Sequence, residues 1–152
     1  MLPEPMSLKS VLAEMRGYLL KFPDAMVGEV GLDRSFRHAY QPYPSPPPRK
    51  LSPFTTPIEH QITILEAQLD LAVELSRHVS LHSVNANQAT VGLLAKMKAK
   101  HQKAWREISI DMHSCSLSLE AWRGLEVRRF SNHTTLVTGS NRMSLSVVER
   151  YH

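Results

Sequence analysis

The sequence predicts an α/β fold, parallel strands with outer helices, laid out as part of a TIM-type (β/α)8 barrel. Three observations carry this expectation. Short apolar runs alternate with segments of helical periodicity in the order α-β-loop-α-β-α-β-α, and alternation of this kind builds a parallel sheet with helices outside. Three runs share one grammar: AMVGEVGLD (Ala25–Asp33), RHVSLHS (Arg77–Ser83) and ISIDMHS (Ile108–Ser114) are each brief, apolar and close on a residue able to bind a metal, Glu29, His82 and His113. Spacing agrees. His82 and His113 are 31 positions apart, and one repeat of a barrel takes about 31 residues. Glu29 and His82 are 53 apart, one repeat plus an insertion.

The elements follow in order. Residues 7–22 place Leu8, Val11, Leu12, Met15, Leu19 and Phe22 on one helical face, and Pro23 and Asp24 end the helix. Ala25–Val30 is a short strand, with Gly28 and Gly31 leaving room for a close backbone approach. The stretch 38–57 holds seven of the ten prolines, a density no central strand or helix tolerates. It is an excursion from the scaffold, either a solvated insertion or a lid or partner-binding loop. Thr56 as cap, Pro57 at the first position and Glu59 form a capping box for a helix carrying Ile58, Ile62, Leu65, Leu69 and Ala72. That helix ends near Arg77–His78, and Val79–Leu81 is the next strand. A looser helix spans Gln88–Arg106, Ile108–Met112 is the third strand, and Leu117–Arg123 is a short helix. From Gly124 the pattern weakens to one strand, Thr135–Val137, so residues 124–152 are left unassigned as an irregular tail.

Bulk properties bound the function class. A chain of 152 residues holds one ordinary domain with a core. Its net charge of +4 gives mild attraction to polyanions without singling out a nucleic-acid binder. One cysteine, Cys115, excludes an intramolecular disulfide and fits a reducing compartment. Nothing reaches the ~18 consecutive apolar residues of a membrane span, and the N-terminus lacks the pattern of a signal peptide. The expectation is a soluble intracellular protein, in cytoplasm or nucleus.

Residues at the carboxyl ends of neighbouring parallel strands converge on one site. Carboxylate and imidazole are suitable ligands for a divalent metal. A carboxylate shared between ions, with a histidine to each side, suits phosphoester hydrolysis. An isolated Glu or His at a strand end is more often satisfied by hydrogen bonds; the case rests on three in series.

Gly28-Glu29-Val30-Gly31-Leu32-Asp33 resembles the G-E-[IV]-G-[LI]-D signature of the TatD-related metal-dependent hydrolases. Gln61 and Leu65 on the following helix, the V-S-L-H strand ending in His82, and the strand ending in His113-Ser114-x-Ser116 fit the same pattern. With the proline-rich insertion, the resemblance is greatest to a fungal branch whose members are described as interactors of an anaphase-promoting-complex subunit. It covers roughly residues 2–123. It implies a (β/α)8 barrel with a one- or two-metal site (zinc, magnesium or manganese) hydrolysing DNA phosphodiesters. It also implies Glu29 as catalytic bridging metal ligand and His82 and His113 as the further metal ligands. Asp33 is expected to orient the loop after its strand rather than to touch a metal.

The departures are as specific as the matches. The family opens with a His-x-His strand, and none occurs here; it also needs a late strand-end Asp, and after His113 the only carboxylates are Glu120, Glu126 and Glu149. His-[CS]-[FY]-Ser-Gly becomes His113-Ser114-Cys115-Ser116-Leu117. Residues 1–123 therefore read as the central part of a barrel, from a gene whose flanking segments lie outside this reading frame. Three functions follow: a metal-dependent phosphodiesterase in full-length form, weak or inactive as this chain; a non-catalytic interaction protein binding a partner through its proline-rich loop; and, less supported, nucleic-acid contact through Lys96, Lys98, Lys100, His101, Lys103 and Arg106.

Overall fold

The computed structural model describes residues 4–40, 50–113 and 136–139. Four strands, β1 (Val27–Asp33), β2 (Val79–Val84), β3 (Ile110–His113) and β4 (Leu136–Gly139), form one sheet in the order β1-β2-β3-β4, every pair parallel. Among the described residues three α-helices, α1 (Leu8–Lys21), α2 (Ile58–Glu74) and α3 (Asn87–His101), precede or connect the strands. Parallel neighbours in strand order with a helix in each of the first two crossovers are successive βα repeats, so the arrangement is that of a partial barrel. The expected short helix at Leu117–Arg123 lies outside the described residues. The strand expected at Thr135–Val137 is present as β4, shifted to Leu136–Gly139 and paired with β3.

One face of the sheet packs on the helices. In β2 burial alternates: Val79, Leu81 and Ser83 are fully buried, while Ser80, His82 and Val84 are half-buried on the other side. Ser83 marks the helix side, because its hydroxyl pairs with Thr90 of α3 at 2.8 Å; two buried hydroxyls thus satisfy each other. Leu32, Leu65, Leu69, Met97, Ile108 and Met112 complete this core. The six-residue stripe expected of α1 turns out narrower. Leu19 is buried and Leu12 and Met15 pack against the core, but Phe22 is exposed.

Several boundaries differ from expectation. The first strand, expected at Ala25–Val30, runs over Val27–Asp33, so Glu29 stands inside it and Asp33 at its end. The capping box at α2 does not form: the helix begins at Ile58 behind Pro57, with no side-chain cap. Thr56 instead sets its hydroxyl 3.1 Å from His38 Nε2, so its oxygen serves the base of the excursion. The helix expected to run to Arg106 ends at His101. Gln102 takes a positive φ of 47°, which an α-helix cannot continue through, and a 3₁₀ turn over Ala104–Glu107 follows.

The proline-rich excursion has an ordered stem. Ala39 and Leu51 form an antiparallel bridge; Tyr40 N–H donates to the Lys50 carbonyl at 3.0 Å and Ser52 N–H to that of His38 at 2.8 Å. Residues 41–49, where the proline density peaks, lie outside the described residues. No helix of the described residues is long and apolar enough to cross a membrane.

Candidate metal centre at the strand ends

The site lies beside β1 and β2 and is walled on one side by the start of α2; Asp33 closes β1, while Glu29 and His82 stand within their strands. Glu29, Val30, Gly31, Asp33, Phe36, Thr56, Gln61 and His82 line a pocket of about 360 Å³. Two features of β1 bring Glu29 there. The register with β2 slips between Val27 and Val30, so Val27, Val30 and Leu32 all turn to the core while Gly28 and Glu29 are exposed. Gly31 stands directly opposite His82, and a Cβ at Gly31 would run into the His82 carbonyl oxygen. At Gly28 a Cβ would lie 2.7 Å from Ser80 Cβ. The two glycines expected to permit close approach therefore do so, both against β2.

Asp33 holds the mouth. Its Oδ1 accepts from Ser35 N–H at 2.7 Å, Ser35 O–H at 2.6 Å and Phe36 N–H at 3.0 Å, an Asx turn that fixes the chain leaving β1. Its Oδ2 lies 3.8 Å from His82 Nε2. Partial burial pushes the Asp33 carboxyl upward. The bonds from Ser35 and Phe36 and the nearby His82 outweigh this and hold it below the ordinary carboxylate value. Asp33 thus orients the loop, as expected, and also faces the imidazole, a contact that strand periodicity alone does not reveal.

Register supplies the second histidine. His82 pairs with His113 across β2 and β3, so the two positions are neighbours at the same level of the sheet. Two residues before it on β3, Asp111 has a buried Oδ1 with no hydrogen-bond partner among the described residues. Among the described residues no group of three or more His, Cys, Asp or Glu is gathered closely enough to hold a metal. Glu29, Asp33 and His82 line the pocket, but they stand as a rim rather than a closed cage.

The basic run of α3 faces elsewhere and is largely engaged. Lys96 reaches Glu66 and Lys100 reaches Asp70, each at 2.7 Å, and His101 Nε2 lies 2.6 Å from Asp70. These side chains hold α3 to α2.

The TatD related DNase family model matches residues 7–141. The chain belongs to that family. The match runs past 123 and takes in β4, whose parallel pairing with β3 continues the barrel order. The chain is also similar to the Cut9-interacting protein scn1 of Schizosaccharomyces pombe, 32% identical over 175 aligned positions that cover 99% of this chain and 51% of that protein. It spans about half the length of this relative. The TatD family is a hydrolase family, and the strand-end carboxylate and imidazole seen here are the donor types such a metal-dependent site uses.

Proposed function

We propose that this TatD-type chain carries the central part of a metal-dependent phosphodiesterase site, with DNA as the substrate class. Glu29 would be the catalytic carboxylate and a metal ligand, His82 and His113 would be the further ligands, and the ion would be zinc, magnesium or manganese. The observation that supports this most is the sharing of one pocket by Glu29 and His82, with position 113 of β3 paired in register with His82 and His82 in turn with Gly31. When bound, the metal would polarise a phosphoryl oxygen and activate a water. The chain's own residues do the rest: Glu29 and His82 present charge and lone pairs to the pocket, and Asp33 orders the mouth through Ser35 and Phe36.

Residues 1–123 supply this central part. The His-x-His pair and the late Asp of the complete family pattern are not in this sequence. Weak or no cleavage is therefore expected of these 152 residues, with one ion held loosely. Metal content and cleavage of a DNA phosphodiester, measured together, test this. Robust metal-dependent cleavage that disappears in Glu29→Ala would overturn the expectation of weakness and confirm the role of Glu29.

A second reading, a non-catalytic protein that binds a protein partner, is favoured by two observations. The stem of the excursion exposes Tyr40, Leu51 and Phe54, and the relative scn1 is named for its interaction with Cut9. Deleting residues 41–53 separates the two readings: lost partner binding that is indifferent to metal supports the interaction protein, and unchanged partner binding removes it.

A further inference from the structure

Gln61 lies in the first turns of α2 and walls the pocket. Its amide is committed in full to backbone. Oε1 accepts the Asp33 N–H at 2.8 Å; Nε2 donates to the Asp33 carbonyl at 3.0 Å and to the Thr56 carbonyl at 2.9 Å. At the end of β1 it is Arg34 N–H that donates to Val84 of β2. In a parallel ladder the N–H and C=O of Asp33 then point the other way, toward the outer edge of the sheet. Gln61 meets both, as the peptide of a neighbouring strand would. The same amide ties down Thr56, where the excursion returns to the scaffold.

The consequence reaches the pocket through Asp33. Its peptide is held by Gln61 and its Oδ1 by three bonds from the Ser35–Phe36 turn, so Oδ2 is left facing His82 at 3.8 Å. We propose that Gln61 is the positioning residue of this site: by pairing with the Asp33 peptide it fixes the Asp33 carboxylate against His82, and so sets how tightly the pocket holds a divalent cation. The last clause rests on the metal reading given above; the first does not. A carboxylate hydrogen-bonded to a metal-binding imidazole orients the ring, and losing such support weakens metal binding about 10-fold to 100-fold; at 3.8 Å Asp33 acts on His82 through charge, so the low end of that range is expected.

The test compares the full chain with Gln61→Met, which keeps length and removes all three bonds. Controls are Gln68→Met on the same helix and Val73→Ala, a core truncation. Two readouts are taken: the ring-proton resonances of His82 by NMR without metal, and Mn²⁺ affinity by electron paramagnetic resonance. The expected result is that the His82 resonances move in Gln61→Met as they do in Asp33→Asn, that Mn²⁺ binding weakens about 10-fold, and that Gln68→Met changes neither. Unmoved His82 resonances in a folded Gln61→Met would overturn the proposal. So would an equal loss of affinity in Val73→Ala at matched melting temperature, since the role would then be structural alone. If the wild-type chain binds no Mn²⁺, the metal reading fails and the His82 resonances alone decide the positioning role. Should Gln61→Met not fold, Gln61→Glu replaces it, because it keeps the acceptor for Asp33 N–H and loses both donors.

Discussion

The two faces of the sheet are built to opposite specifications. On the helix side Leu32, Leu69, Val79 and Leu81 are wholly removed from solvent, and a buried polar pair there, Ser83 with Thr90, satisfies itself. On the other side, Gly28 and Glu29 are exposed, Asp33 and His82 are half-buried, and two glycines bring β1 against β2 where larger residues would collide. The first face holds the fold together through area removed from water. The second presents charge and lone pairs at the cost of burial. One seven-residue strand serves both: Val27 and Leu32 anchor it in the core, Glu29, Gly31 and Asp33 shape the pocket, and Val30, buried, also reaches the pocket wall. Substitutions should therefore divide cleanly by face.

The largest effect is expected on the helix side. Leu69→Ala empties a fully buried position of α2 and should lower the unfolding free energy by about 2–5 kcal/mol. Native stabilities are small against such a loss, so urea unfolding should show a sharply reduced midpoint or no folded baseline. Gly31→Ala comes next and tests whether the faces are separable at the point where they touch. Its methyl would strike the His82 carbonyl, a backbone atom, so β1 and β2 must part. A loss of about 1–3 kcal/mol is expected, with altered NMR resonances for both His82 and the Leu81 methyl groups. A change confined to one face would show that the strands can shift locally without disturbing the core.

That division explains which parts of the molecule were legible in the sequence. The helix side was, because burial imposes periodicity: the Ile62, Leu65, Leu69 and Ala72 stripe announced α2, and V-S-L-H announced β2. Glycine was legible too, since only a close approach asks for Gly28 and Gly31 in a strand. The Thr56–Glu59 box was misread because a hydroxyl has several available partners, and His38, distant in sequence, took it. The reach of Gln61 to Asp33 left no periodic trace: it depends on where α2 begins relative to β1, which the length and path of the excursion decide. Of the site, the strand-end positions could be placed by counting repeats. The partnership of Asp33 with His82 needed the sheet.

Between the helices the comparison can be sharpened by pH. Partial burial raises the Asp70 carboxyl, but the bonds from Lys100 and His101 outweigh it and hold its pKa below the ordinary value. A depressed folded-state pKa contributes stability above the unfolded pKa of about 3.9 and loses it as pH falls through the lower folded value. Asp70 is about a third exposed, so solvent screening limits the contribution to about 1 kcal/mol or less. Urea midpoints of wild type and Asp70→Asn should thus differ modestly between pH 7 and 5 and converge below about pH 4. A difference that persists at low pH would mean that shape rather than charge joins α2 to α3 at this point.

The smallest effect on stability is expected where the functional claim is strongest. Glu29 is exposed and contributes to no part of the buried core, so Glu29→Gln should change the unfolding free energy by about 0.5 kcal/mol or less. The same substitution removes the negative charge with which the pocket would hold a divalent ion. Mn²⁺ affinity should therefore fall while the urea midpoint stays in place, the inverse of Leu69→Ala, whose refolded fraction should bind as wild type does. If instead Glu29→Gln costs several kcal/mol, the pocket face contributes to the fold after all. Glu29 would then be retained for the architecture of β1, and the comparison between the faces would collapse at the residue on which the site depends.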